Sequence, residues 1–156
     1  MDEALIGTML ASTLRLATPL IFCAMAGLFS ERSGVVDIGL EGKMLFAAFA
    51  AGAAGAAWGS TALAMLAAIG VAISLSWMHG LACVSHRGDQ VVSGVAINII
   101  AAGLTVVLGI AWFAQGGQTP PVTSSVRIQP LFPQATATLA GIPWIGALVG
   151  EGVLGH

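Results

Sequence analysis

The sequence predicts an all-α, polytopic transmembrane helix bundle with a re-entrant or broken helix after its first span. Three observations predict it. Hydrophobic residues make up 57% of the 156 and charged residues 8%, with a mean hydropathy of +0.95, whereas a soluble domain carries about 25% charged residues to coat its surface. The apolar residues fall into runs of span length, for which about 20 residues suffice. Finally, Glu31, Arg32, Asp37, Glu41 and Lys43 gather in one segment, SERSGVVDIGLEGKML from Ser30 to Leu45, in a chain with only five basic and seven acidic residues. Charge between apolar spans is expensive, so this island points to function.

The first span is expected over about residues 5–29. Arg15 and Pro19 interrupt it: Arg15 suits a bundle interior or a snorkelling position, and Pro19 a kink, and neither suits a lone lipid-facing helix. Asp2 and Glu3 stand where a secretory signal carries basic residues, so this first segment is expected to be retained. From Met44 to Ser85 the chain holds no Asp, Glu, Lys or Arg, a length of about two spans. The break is expected at Trp58-Gly59-Ser60-Thr61, where an interfacial Trp, a flexible Gly and an N-cap pair coincide.

The resulting spans are about 41–58 and 61–83. The first is short of apolar residues and must borrow length from the island, which Gly34, Gly39 and Gly42 interrupt. Two readings follow, a solvated loop before a short helix or a re-entrant, discontinuous helix that places polar backbone inside the membrane. The second reading requires Gly39 and Gly42 to be partly buried.

His86 to Gln90 forms a polar turn, and the next span covers about 91–114. On it Gly94, Asn98, Ala102, Thr105 and Gly109 recur at helical spacing, one small, polar face. Gly94, Ala102 and Gly109 are the helix-packing candidates. Asn98 and Thr105 either bond across the helix contact or line a polar path, and with Asp37 and Glu41 they form the set of substrate-path candidates. The Pro-rich stretch 115–141 reads as an extramembrane loop, and an incomplete fifth segment covers 142–156, meeting Glu151 too early to cross. An outside N-terminus puts Arg32, Lys43 and Arg87 in the cytoplasm against Arg127 outside, as the positive-inside rule favours.

Several classes are excluded. Five scattered basic residues form no nucleic-acid-binding patch. Cys23 and Cys83 lie in apolar runs and read as small hydrophobes. His79 and His86 lack the further ligands a metal needs, so no metal site is expected. The chain has no Gly-rich loop ending in Lys-Ser or Lys-Thr, no GxSxG elbow and no HExxH helix, so neither nucleotide binding of the P-loop kind nor an enzyme has residues to rest on.

Three stretches carry a family resemblance: LRLATPL from Leu14 to Leu20, the island from Ser30 to Leu45, and GDQVVSGVAINIIAAGLT from Gly88 to Thr105. Together they resemble the permease subunit of bacterial ABC importers for nucleosides and simple sugars, over about Leu5 to Ile145. The shorter permease of basic-membrane-lipoprotein-dependent nucleoside import systems is the branch most resembled. The resemblance implies a multi-pass subunit of the bacterial inner membrane, with no cofactor of its own because ATP is bound by a separate subunit. It also implies three partners: the ATP-binding subunit, a second permease subunit and a substrate-binding lipoprotein.

Two departures stand out. Asp37 and Lys43 occupy positions where the family pattern has Asn and Met, so the fold is kept if the two charges compensate each other. Family members are also much longer, so the chain has the extent of a partial, N-terminal permease domain over 1–156. It is accordingly expected to insert in the membrane but to transport nothing by itself. A non-transporting membrane scaffold and an ion-coupled secondary transporter using Asp37 and Glu41 are the alternative functions.

Overall fold

The computed structural model describes residues 3–116 and 118–122. The expected fifth segment 142–156 and most of the expected loop 115–141, with Arg127 and Glu151, lie outside the described residues. The described residues form four α-helices: α1 (Glu3–Arg32), α2 (Leu40–Trp58), α3 (Thr61–Gly80), continued by a π-helical turn at Leu81–Ser85, and α4 (Gln90–Phe113). Among the described residues no strand occurs. Among the described residues three segments are long and apolar enough to cross a membrane: Ser12–Arg32, Thr61–Ser85 and Gln90–Phe113. The chain is a multi-pass, all-helical membrane protein. The polar first turn of α2 keeps that helix out of this set.

The described residues divide into two compact units, one holding residues 3–24 and the other residues 25–116 and 118–122. In the first, the Thr13 and Thr18 hydroxyls donate to the carbonyls of Met9 (2.8 Å) and Leu14 (2.7 Å), which lets polar side chains sit on an apolar helix without unpaired donors. Pro19 lies inside α1 and Arg15 is exposed.

In the second unit α2, α3 and α4 pack together. The helix ends follow from local chemistry. At the end of α2, Gly59 adopts a left-handed φ of 63° and its N–H donates to the Gly55 carbonyl at 3.0 Å, a conformation open to glycine at little cost. The chain then turns extended at Ser60 and enters α3. Between α3 and α4, the His86 N–H reaches back to the Leu81 carbonyl at 3.1 Å, closing the π turn, and Arg87 takes a left-handed φ of 51°. Asp89 Oδ1 accepts from the Val91 and Val92 N–H groups at 2.8 and 3.0 Å, which caps α4.

The buried face of α4 runs through Gly94, Ile97, Ala101, Thr105 and Gly109. Ala102, placed on that face by spacing alone, is exposed, and Ala101 takes the position. A helix turns 3.6 residues per revolution, so a run of small residues leaves neighbouring positions indistinguishable until a partner selects one.

Candidate functional site

The island is built around the first half of α4. Gln90 Oε1 accepts from the Val36 N–H at 2.6 Å, while Gln90 Nε2 lies 3.5 Å from the Gly34 carbonyl. One turn on, a Cβ added at Gly94 would stand 2.9 Å from the Gly39 nitrogen and 3.1 Å from Ile38 Cβ. One turn further, Asn98 Oδ1 accepts from the Gly42 N–H at 2.7 Å and Asn98 Nδ2 donates to the Ile38 carbonyl at 3.1 Å. Positions 90, 94 and 98 recur every four residues and so share one face. Together they pin residues 34–42.

Asn98 therefore does for α2 what an N-cap side chain usually does. The N-cap position itself is Gly39, which has no side chain to offer, and the first four N–H groups of any helix lack partners within it. An amide from another helix supplies the missing acceptor and also satisfies the carbonyl just outside. Asn98 lies eight residues into α4, about 12 Å along its axis at 1.5 Å per residue. Thus α2 begins inside the bundle, two turns deeper than α4.

Behind this contact lies a buried polar cluster. Lys43, 5% exposed, pairs with the Asp37 carboxylate, whose Oδ1 also accepts from the Gly39 N–H at 3.0 Å. His79 from α3, 2% exposed, places Nε2 3.8 Å from Asp37 Oδ1, and its Nδ1 lies 3.0 Å from the Ser93 hydroxyl. The Cys83 sulfur is 3.7 and 3.8 Å from the two imidazole nitrogens. Nearly equal distances put sulfur off both in-plane N–H directions, so this is packing and not a thiol–imidazole pair poised for nucleophilic chemistry. Among the described residues no three His, Cys, Asp or Glu side chains are placed to hold one metal ion.

The structure separates the sequence candidates. Asp37 and Asn98 come together at the start of α2, with Gly94 beneath them, and their polar atoms are occupied by the protein itself. Glu41 is exposed on the opposite side of the same turn. Thr105, 5% exposed, lies two turns beyond Asn98, where its hydroxyl donates to the Ala102 carbonyl at 3.1 Å. It borders a groove of about 380 Å³ formed with Leu45, Ala48, Phe49, Gln118 and Thr119.

Sequence reasoning set His79 aside and did not single out Ser93 or Gln90. A usable signal existed for two of them. In an antiparallel helix hairpin, residues equidistant from the turn face each other, and 79 and 93 each lie seven positions from His86.

Asn98→Leu is expected to remove both cross-helix bonds. Each lost neutral bond costs about 0.5–1.5 kcal/mol, and the α2 N–H left without an acceptor adds to this. Ile99→Leu, on an exposed face, is expected to change stability by less than about 0.5 kcal/mol. Thermal unfolding of both variants in detergent checks this, and equal losses would remove Asn98 from its capping role.

Comparison with known proteins gives consistent findings. Residues 9–149 match the family model described as "Branched-chain amino acid transport system / permease component". The chain is 45% identical over 103 residues to the guanosine ABC transporter permease protein NupQ of Bacillus subtilis, covering 62% of this chain and 32% of that protein. It is 37% identical over 112 residues to the nucleoside ABC transporter permease protein NupC of Lactococcus lactis, covering 68% of this chain and 35% of that one. TsgC13 of Haloferax volcanii, provisionally named a glucose ABC transporter permease, is 30% identical over 138 residues, 88% of this chain and 40% of the relative. The matched segments therefore span 32% to 40% of the length of these relatives. No solved structure matches the chain.

Proposed function

This chain belongs to the branched-chain-type permease-component family of ABC transport systems, and from that membership we propose that it supplies membrane-crossing helices to the permease of an ATP-driven importer for nucleosides or related sugars. The observation that carries the substrate class is its identity to nucleoside permeases, 45% and 37%. The amino-acid wording of the family description is broader and weighs less than these individual relatives. A sugar permease at 30% keeps simple sugars within the same reading.

The working complex contains a separate ATP-binding subunit, a second permease subunit and a substrate-binding lipoprotein, and it resides in the bacterial inner membrane. No P-loop occurs among the 156 residues, which supports leaving ATP to the partner. The chain's own contribution is recognition and movement, not catalysis. Contacts from Gln90 to residues 34 and 36 set the hairpin beside the island loop, so Arg32 and Arg87 mark one end of the second unit. The positive-inside rule makes that end cytoplasmic.

Vesicles reconstituted with a full-length permease carrying this sequence, its partner permease, the ATP-binding subunit and the lipoprotein are expected to accumulate guanosine when ATP is supplied on the cytoplasmic side. Accumulation of leucine in place of guanosine would overturn the substrate class. Guanosine uptake that persists when this chain is omitted would overturn its role.

A further inference from the structure

Of the polar groups facing inward in the second unit, those of Asp37, Lys43, His79 and Asn98 are bonded to or in contact with one another or backbone, and the groove beside Thr105 is a different environment. We propose that the groove bounded by Leu45, Ala48, Phe49, Thr105, Gln118 and Thr119 holds a neutral, hydroxylated ring during passage, namely the sugar of a nucleoside or a free sugar. This inference rests on the importer reading above and assigns it a site.

Position supports it. Phe49 is the tenth of the nineteen residues of α2, and the groove therefore sits at the middle of that helix, away from the charged end where the island lies and from the Trp58 end. Polar side chains at such depth in an apolar bundle are costly and mark pathways. Segment 118–122 lies against α2 here because position 52 is glycine: a Cβ there would stand 2.6 Å from Thr119 Oγ1. Glycine thus admits a second hydroxyl next to a helix made almost wholly of apolar residues.

Chemistry supports it further. The Thr105 hydroxyl spends its proton on Ala102 and keeps an oxygen able to accept, Thr119 offers a hydroxyl donor and acceptor, and Gln118 offers both an amide donor and a carbonyl acceptor. Such a set pairs with the alternating donors and acceptors of sugar hydroxyls. Phe49 adds an apolar ring surface. At about 380 Å³ the groove falls in the size range of small-molecule sites.

The same features argue against an amino acid. None of the six side chains is charged, so a carboxylate and an ammonium would enter without partners, at a desolvation cost that grows in an apolar setting. The nearest device for a carboxylate, the start of α2, already holds Asn98 Oδ1. The neighbouring cavity of about 400 Å³, lined by Phe46, Trp58, Trp112 and Phe113 among others, presents only apolar surface to a solute.

The test uses the complete transport complex carrying Ala48→Cys, with Cys23 and Cys83 replaced by Ala. Guanosine and ribose are expected to slow labelling of this thiol several-fold, leucine to have no effect, and Val107→Cys on an exposed face of α4 to show no protection. Leu45→Cys is the second position should Ala48→Cys fail to assemble. Independently, Thr105→Val is expected to raise the KM for guanosine roughly three- to ten-fold, the worth of one neutral hydrogen bond, and Thr105→Ser to restore it. If the complex imports guanosine while neither thiol is protected, the groove assignment falls and the importer reading stands. If the complex imports no nucleoside or sugar, both fall.

Discussion

Lys43→Met alone is expected to destabilise the protein by about 3–5 kcal/mol, because it leaves the Asp37 carboxylate buried without its cation. Asp37 has a side-chain exposure of 11% and Lys43 of 6%, so water can do little to replace the lost partner. The remaining help comes from the Gly39 N–H at 3.0 Å and the His79 ring at 3.8 Å. The double variant Asp37→Asn/Lys43→Met is expected to recover most of the loss. Removing both members of a buried ion pair is often neutral or stabilising, since the desolvation of two charges disappears with their attraction. Asn at 37 also retains an oxygen for the Gly39 N–H. Thermal unfolding of the wild type, both single variants and the double variant in detergent closes the cycle. If Lys43→Met proves as stable as the double variant, the pair is not the reason the two charges coexist.

Gly42→Ala is expected to be the most damaging single-methyl addition in the second unit. Its Cβ would stand 2.7 Å from Asn98 Cα, 2.8 Å from Asn98 Oδ1 and 3.0 Å from the Ile97 carbonyl. Two of these neighbours are backbone and cannot rotate away, so α2 and α4 must separate, stretching the Asn98 bonds. Overpacking of this kind costs about 1–3 kcal/mol, occasionally more, and the weakened capping bonds add to it. Gly94→Ala opens the same contact from the other side, against Gly39 and Ile38. The two losses should therefore sum to less than additive, since the second methyl enters a gap the first has made. Gly103→Ala is the contrast: nothing lies within 4 Å of its Cβ, and the better helix propensity of Ala favours it by about 1 kcal/mol. Unfolding midpoints of the three single variants and of the Gly42→Ala/Gly94→Ala double variant measure all of this. A Gly42→Ala protein as stable as Gly103→Ala would show that the helices do not approach as closely as the structure has them.

Much of this architecture was legible without coordinates, for reasons that are local. Trp58-Gly59-Ser60 announces a helix end because a left-handed residue is cheapest at glycine, and Gly59 adopts it. The charged island announces itself because ionised groups are rare among apolar runs. Two opposite departures from one family pattern raised the question whether Asp37 and Lys43 compensate each other, and their ion pair answers it. By contrast, within the small-residue stripe Ala102 stood where Ala101 is buried, since alanines and glycines in series give no information about which faces a neighbour.

The candidate site was less legible, and the reason is geometric. Asp37, Glu41, Asn98 and Thr105 were grouped by polarity, and polarity does not say where a side chain points. Within one turn of α2, Glu41 faces out while Lys43 faces in, and only packing against α4 separates them. Asn98 could equally have lined a path or bonded a helix; its two bonds to residues 38 and 42 depend on α2 beginning at its level, a fact of tertiary structure alone. The Thr105 groove needs residues 45–49, 105 and 118–119 to meet, across sequence separations that no periodicity encodes. What the sequence by itself determined was membership of a membrane class, the helix order and the presence of a costly polar segment, because these depend on composition and on short-range backbone preferences. Tertiary structure decided which polar groups satisfy one another and which border a groove, because that choice rests on distances between helices.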